Sequence, residues 1–433
     1  MKKVFRHSLT SLVLTTVALS MSQAAAPAAA PAVAIALAAP TSPSAAASAS
    51  KLVEPEAISA TIKIGVILPL TGPSSDMGKS ALFGAQMAID EANEYMGIYM
   101  RKKFELAVRD DVATPAVGLL QAEDLVLKEK VSATVGFCNT GVAMKALDVF
   151  QNNKQPLIVS CATGSAITQK FPAVSSYIFS VAANDKLQTQ FLVDSLIKRN
   201  LKNPGLLFDT SGYGEAGLKD FLAALEKSNI KPRLIVRFNV GVTSLSAEIK
   251  QLKDSGADSL IGWSVGPEQG VISASRKAAG WVVPQFGSWG LANASAFVSS
   301  GGAVDETMMV QTVMPNPRLE RNASFLRRYK KISKEQLMGS MMSASQTYDA
   351  VNLIVRSMFQ AQGDFSGPSL KKNLESLQKP YPGIVTTYVK PFSTTDHDAI
   401  SANMLWLGAW KDGERVFASK EDAQLAISSQ RKQ

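Results

Sequence analysis

From residue 61 onward, β-branched runs and helix-period runs alternate along the chain, and that alternation constrains the fold more than any other feature. "TIKIGVILPL" reads as a buried strand ended by Thr71-Gly72-Pro73. "KSALFGAQMAIDEAN" puts Leu82, Ala85, Ile89 and Ala92 on one helical face. "KFELAVRDD" is a second strand, and Thr114-Pro115 opens a helix with proline at its first position. "SATVGF", "VAMKALDVFQNN" and "PLIVS" continue the pattern, which resumes at "GLLFD" and runs on through "PRLIVRFNV", "DSLIGWS" and "MMVQTV". Alternating strands and helices imply parallel sheets covered on both faces. A chain of 433 residues is too long for one ordinary domain. The expectation is an α/β protein with two Rossmann-like lobes, each on its own parallel sheet.

In open α/β sheets, ligands sit beyond the carboxyl ends of the strands. Two similar corners fall there, "GFCNTG" (136–141) and "SCATGS" (160–165). Each carries a cysteine, a threonine and a glycine where the chain turns. Hydroxyls and N–H groups at two adjacent helix starts suit an anion, a carboxylate above all. Thr140 and Thr163 also suit plain helix capping. Cys138 and Cys161, the only two cysteines, are either a candidate disulfide or two small buried apolar residues.

The first residues are of another kind. "MKKVFRH", the apolar run "SLTSLVLTTVALS" and the small residues of "MSQAAA" have the layout of a secretory signal peptide over 1–24. No cysteine stands near the cleavage site, so no lipid anchor is expected. Residues 25–57 are mostly Ala, Pro and Ser and read as a disordered tether. The formal charge of +9 is spread along the chain without a basic block, which argues against nucleic acid as a partner.

The motifs "IKIGVILPLTGP", "GAQMAIDEAN", "RDDVATPAVGLLQAEDLV", "VGFCNTGVAMKAL", "PLIVSCATGSAIT", "YGEAGL", "GPEQG" and "WGLANAS", in this order, resemble the periplasmic substrate-binding proteins of branched-chain amino acid ABC transporters. The resemblance runs from Ile62 to Phe417. It implies a type I periplasmic binding fold, with two lobes joined by a three-stranded hinge and closing on a small molecule. It puts the crossings near Val181, Met309 and Gly383. Lobe 1 would be 58–181 with 310–383, lobe 2 would be 182–309 with 384–425, and 426–433 a tail. It implies a periplasmic monomer that delivers its ligand to an ABC permease, without cofactor or metal. A sensory protein for a membrane receptor would use the same trap.

The family's carboxylate-binding hydroxyls fall on Thr140 and Thr163, its ligand-binding carbonyl on Cys161, and a mouth tyrosine on Tyr213. Asn139 and Ala162 flank these positions, and Met77 takes a place often held by an aromatic residue. Trp289 stands where amino-acid binders carry the glutamate that holds the ligand's ammonium. A buried ammonium without a carboxylate partner is costly. With Trp263 and Trp289 forming an apolar wall, a carboxylate with an aromatic or apolar body is expected rather than an aliphatic amino acid. Glu268 or Asp76 would have to swing in to restore an amino-acid site.

Two chemical alternatives remain. "GWSVG" (262–266) matches a nucleophile elbow, and Ser264, Asp364 or Asp396, and His397 follow hydrolase order. Pro267 comes early for an elbow helix, and "STTDHDAIS" reads as a solvated turn. Asp110 and Asp111 are adjacent, so they point to opposite sides of an extended segment and read as loop and helix-start residues rather than a metal pair.

Overall fold

The computed structural model describes residues 60–316, 319–334, 338–428 and 432. The expected export signal and tether lie outside the described residues, as does most of the expected tail. The helix Lys420–Ser428 crosses that tail's first three residues.

The first sheet has the order β2-β1-β3-β4-β5 and is parallel throughout. Its strands are β1 (Ala60–Leu68), β2 (Lys102–Asp110), β3 (Ala133–Gly136), β4 (Leu157–Val159) and β5 (Ile178–Ser180). All residues of β3, β4 and β5 are buried, as expected where helices cover both faces. The helix Ser75–Glu91 lies close against the helix Met341–Gln360. Gly84 allows this approach, because a Cβ there would stand 2.1 Å from the Ala344 carbonyl oxygen.

The second sheet has seven strands in the order β14-β13-β10-β9-β8-β6-β7. These are β6 (Pro204–Asp209), β7 (Leu234–Phe238), β8 (Ser259–Trp263), β9 (Gln285–Gly287), β10 (Met308–Gln311), β13 (Trp406–Lys411) and β14 (Glu414–Phe417). Strands β6 to β10 are parallel, but β13 is antiparallel to both neighbours, so this sheet is mixed. The departure from an all-parallel sheet comes from a short hairpin. Asp412 and Gly413 both take positive φ, +51° and +75°, which fits a tight two-residue turn.

The chain leaves the first sheet after β5 and joins the helix Asp185–Lys198, whose neighbours are second-sheet elements. After β10 it returns to the helices Glu320–Ser333 and Met341–Gln360 beside Ser75–Glu91. The third crossing lies later than Gly383. That glycine turns a hairpin of β11 (Tyr381–Pro382) and β12 (Thr387–Tyr388) held by Asp349 of the Met341 helix. Asp349 accepts from Ile384 N at 2.7 Å, Val385 N at 2.9 Å, Tyr388 Oη at 3.1 Å and Tyr381 Oη at 3.3 Å. Further on, Ser180 N donates to His397 O and Ala399 N to Ser180 O, both at 2.9 Å. The chain enters the second sheet at Trp406.

Candidate functional site

β3 ends at Gly136, where a Cβ would meet the Ile67 carbonyl of β1 at 2.2 Å. Phe137 then takes φ +61°, uncommon for a bulky residue and of a kind that clusters at functional sites. It is held there by its buried ring against Phe150 and by backbone bonds to Ile67 O and from Ala162 N. The turn brings Cys138, Asn139 and Thr140 to the wall of a small cavity.

The helix Thr140–Asn152 starts at this wall. Its N-cap, Asn139, supplies no side-chain cap, because the Asn139 amide donates to Ser74 Oγ at 3.1 Å instead. The first N–H groups of a helix have no intrahelical partners, and the helix dipole adds partial positive charge there. Thr140 Oγ1 accepts from Gly164 N at 3.2 Å, which locks the two corners together. Gly164 is required at that contact, since a Cβ would sit 2.2 Å from Thr140 Cγ2. Thr163 completes this side of the cavity, and its carbonyl accepts from Asp185 N at 2.8 Å.

The second sheet supplies the opposite wall. Ser211 caps the helix Gly212–Lys227 by accepting from Tyr213 N and Gly214 N, both at 3.2 Å, and Tyr213 lines the cavity. Trp289, Gly290 and Val265 line it too, with Met77 from the Ser75 helix. The two lobes meet closely. A Cβ on Gly212 would stand 3.1 Å from Gly141 Cα, and Asp76 Oδ2 accepts from Ser295 N at 3.3 Å.

Tyr213 Oη, Ser288 Oγ, Asn139 Oδ1 and the Asp185 carboxylate are buried near the cavity without a well-aligned hydrogen bond, although Asp185 and Tyr213 both approach Thr163 and Tyr213 approaches Ser288. Buried polar groups are normally paired, so this cluster of poorly bonded groups beside the cavity stands out. Asp185 lies beside Thr163 and Tyr213, and burial pushes its carboxyl up to about 8. The reading of the sequence missed it. "NDKLQ" looks like an ordinary helix start, and Asn184 does cap that helix by accepting from Leu187 N. An acid in the first turn then needs no further explanation from sequence.

The structure brings together Met77, Asn139, Thr140, Thr163, Tyr213 and Trp289, but not all of the expected set. Trp263 is not in the wall. It lies behind Tyr213, stacked on Phe208 at 5.8 Å, in a slot opened by Gly217, where a Cβ would be 2.1 Å from the indole nitrogen. Cys161 and Ala162 are buried one layer below the lining residues. Cys138 and Cys161 are free thiols, not bridged. Glu268 and Asp76 do not supply the missing acid. Glu268 accepts from Gly241 N at 2.8 Å, and Asp76 from Met77 N and Ser295 N.

The hydrolase arrangement is not formed. Ser264 reaches the cavity wall, but its hydroxyl donates to Asp209 Oδ2 at 2.5 Å. His397 bonds Ile178 O and Glu375 Oε1, each at 2.9 Å, and stacks on Phe179. Asp110 accepts from Leu70 N, Val112 N and Thr71 Oγ1, and Asp111 from Ala113 N, so both carboxylates organise their loop. Among the described residues no cluster of His, Cys, Asp and Glu could hold a metal ion.

Two lobes closing on a cavity rimmed by strand ends and an uncapped helix start define a substrate-binding protein of the two-lobed periplasmic type. The periplasmic binding protein family profile matches residues 61–414, and the chain belongs to that family. It is 29% identical to the Leu/Ile/Val-binding protein homolog 3 of Brucella melitensis, over 58% of this chain and 67% of that protein. Its fold matches a branched-chain amino acid transporter substrate-binding protein of Streptococcus pneumoniae solved with isoleucine. That match has TM-score 0.71 and 22% identity, covering 82% of this chain and 97% of the other. A Rhodopseudomonas palustris solute-binding protein solved with 4-hydroxybenzoate matches with TM-score 0.71 and 20% identity, covering 83% and 96%. The family and these neighbours are substrate-binding proteins, not enzymes. No helix among the described residues is long and apolar enough to cross a membrane.

Proposed function

We propose that this protein captures a small carboxylate with an aromatic or apolar body in the periplasm and hands it to an ABC permease. The observation that carries the reading is the uncapped start of the Thr140 helix, joined by the hydroxyls of Thr140 and Thr163. N–H groups with partial positive charge and two hydroxyl donors match a carboxylate. Trp289, Met77 and Val265 offer the ligand's body an apolar surface. The 4-hydroxybenzoate complex of a structural neighbour supports this ligand class by analogy of fold.

A second reading is an α-amino acid, and Asp185 favours it. An ammonium placed against that carboxylate would satisfy its poorly bonded oxygens and reverse the upward shift of its pKa. The isoleucine complex of another neighbour supports this reading in the same way.

Calorimetric titration with benzoate, 4-hydroxybenzoate, leucine and isoleucine separates the two. The first reading expects binding of the aromatic acids and a loss of about 10–100-fold in Thr140→Val, the size of a hydrogen bond to a charged group. Tight leucine or isoleucine binding that Asp185→Asn abolishes would establish the second reading instead. Pull-down of a membrane partner with bound ligand distinguishes a permease from a sensory receptor.

A further inference from the structure

The corners that carry Thr140 and Thr163 also bring the chain's only two cysteines together. Ser160 N donates to Gly136 O at 3.2 Å, and Ala162 N donates to Phe137 O at 2.9 Å. The chain on both sides of Cys161 is thus tied to the two residues that lead into Cys138. Strands paired in this way run about 4.8 Å apart, within the Cα separation of roughly 4.4–6.8 Å that a disulfide spans. The two thiols are close enough for each to shift the other's titration. Cys161 Sγ lies 3.6 Å from Ser160 Oγ and 3.9 Å from Thr347 Oγ1, whereas Cys138 faces the cavity.

We infer that Cys138 and Cys161 are an oxidisable pair, which a thiol oxidant of the export compartment converts to a disulfide beneath the ligand cavity. Cys138, on the cavity wall, attacks the disulfide of a dithiol oxidase or of glutathione disulfide, and one thiol of the oxidant leaves. Cys161 then attacks the Cys138 sulfur and expels the second thiol. One S–S bond forms and one breaks, and two protons pass from the protein's thiols to the two released thiols. The hydroxyl and thiol groups around Cys161 hold its sulfur below the usual thiol range, which suits the resolving step. Burial pushes the Cys138 thiol up, so oxidation is expected to be slow while the lobes are closed. The bridge removes an S–H from the cavity wall and fixes the two threonine-bearing corners to each other. This inference does not depend on which ligand the cavity takes.

The test uses the full chain exported to the periplasm, quenched in acid, unfolded and alkylated with N-ethylmaleimide. Intact mass is expected to show no adduct before reduction and two after it, and the unreduced digest a peptide joining Cys138 to Cys161. The reduced, folded protein, incubated with glutathione disulfide, is expected to lose two hydrogens and retain no glutathione. Cys161→Ala is expected to retain one glutathione on Cys138. Reduction of the bridged protein is expected to lower its Tm by a few degrees. Two adducts before reduction, or two thiols persisting in glutathione disulfide, would overturn the inference.

Discussion

Asp185 is a carboxyl whose pKa burial pushes up to about 8 from an ordinary 3.8. Between those values the folded state holds a proton that the unfolded state has released, so stability falls as pH rises through the window. Asp185→Asn is expected to flatten that fall in thermal melts from pH 4 to 8; identical profiles for the two proteins would contradict the burial argument. Ser264 gives a different test. Its hydroxyl serves Asp209, so Ser264→Ala is expected to cost about 1–3 kcal/mol of stability in urea titration by leaving a buried acceptor unpaired. Neither protein should hydrolyse an activated ester. Thr140 and Thr163 could be located at strand ends in the sequence because each follows a short apolar strand and a cysteine turn. Trp263 could not be located in the same way. Its placement depends on Gly217, in a helix dozens of residues away, and no local pattern records that slot.

Among the described elements, the helices Ser75–Glu91 and Met341–Gln360, far apart in sequence, pack closely together. Gly84→Val would drive a branched side chain into the Ala344 carbonyl. It is expected to destabilise by about 1–3 kcal/mol, read as a lower urea midpoint. Alternation of strands and helices revealed β1 to β4 of the first sheet, but β5, three residues after a loop, carries too short an apolar run to stand out. The antiparallel edge of the second sheet was harder to see. "WLGAWKDGERVF" carries its turn signal in Asp412-Gly413, but strand direction in a mixed sheet depends on which neighbour the hairpin reaches. The third crossing was misplaced for a related reason. Asp349 collects four donors from the 381–388 hairpin and keeps that segment with the Met341 helix, a long-range bond set with no local signature.

For the whole molecule, closing depends on clearance. The helices starting at Thr140 and Gly212 come from different sheets and meet at Gly141 and Gly212. Gly212→Val is expected to hold the lobes apart. Small-angle scattering with a saturating ligand should then give a larger radius of gyration than the parent protein, and affinity should drop. An unchanged radius would show that the contact does not limit closure.

That same abutment has an electrostatic consequence. Two helix starts brought this close place like partial charges near each other, so shutting the empty clamp works against mutual repulsion. On the carboxylate reading proposed above, the bound anion acts as the counter-ion that removes this penalty. Neutral mimics of the same outline, such as the amide of a bound acid, would therefore be gripped weakly and shed quickly, however well they fill the space.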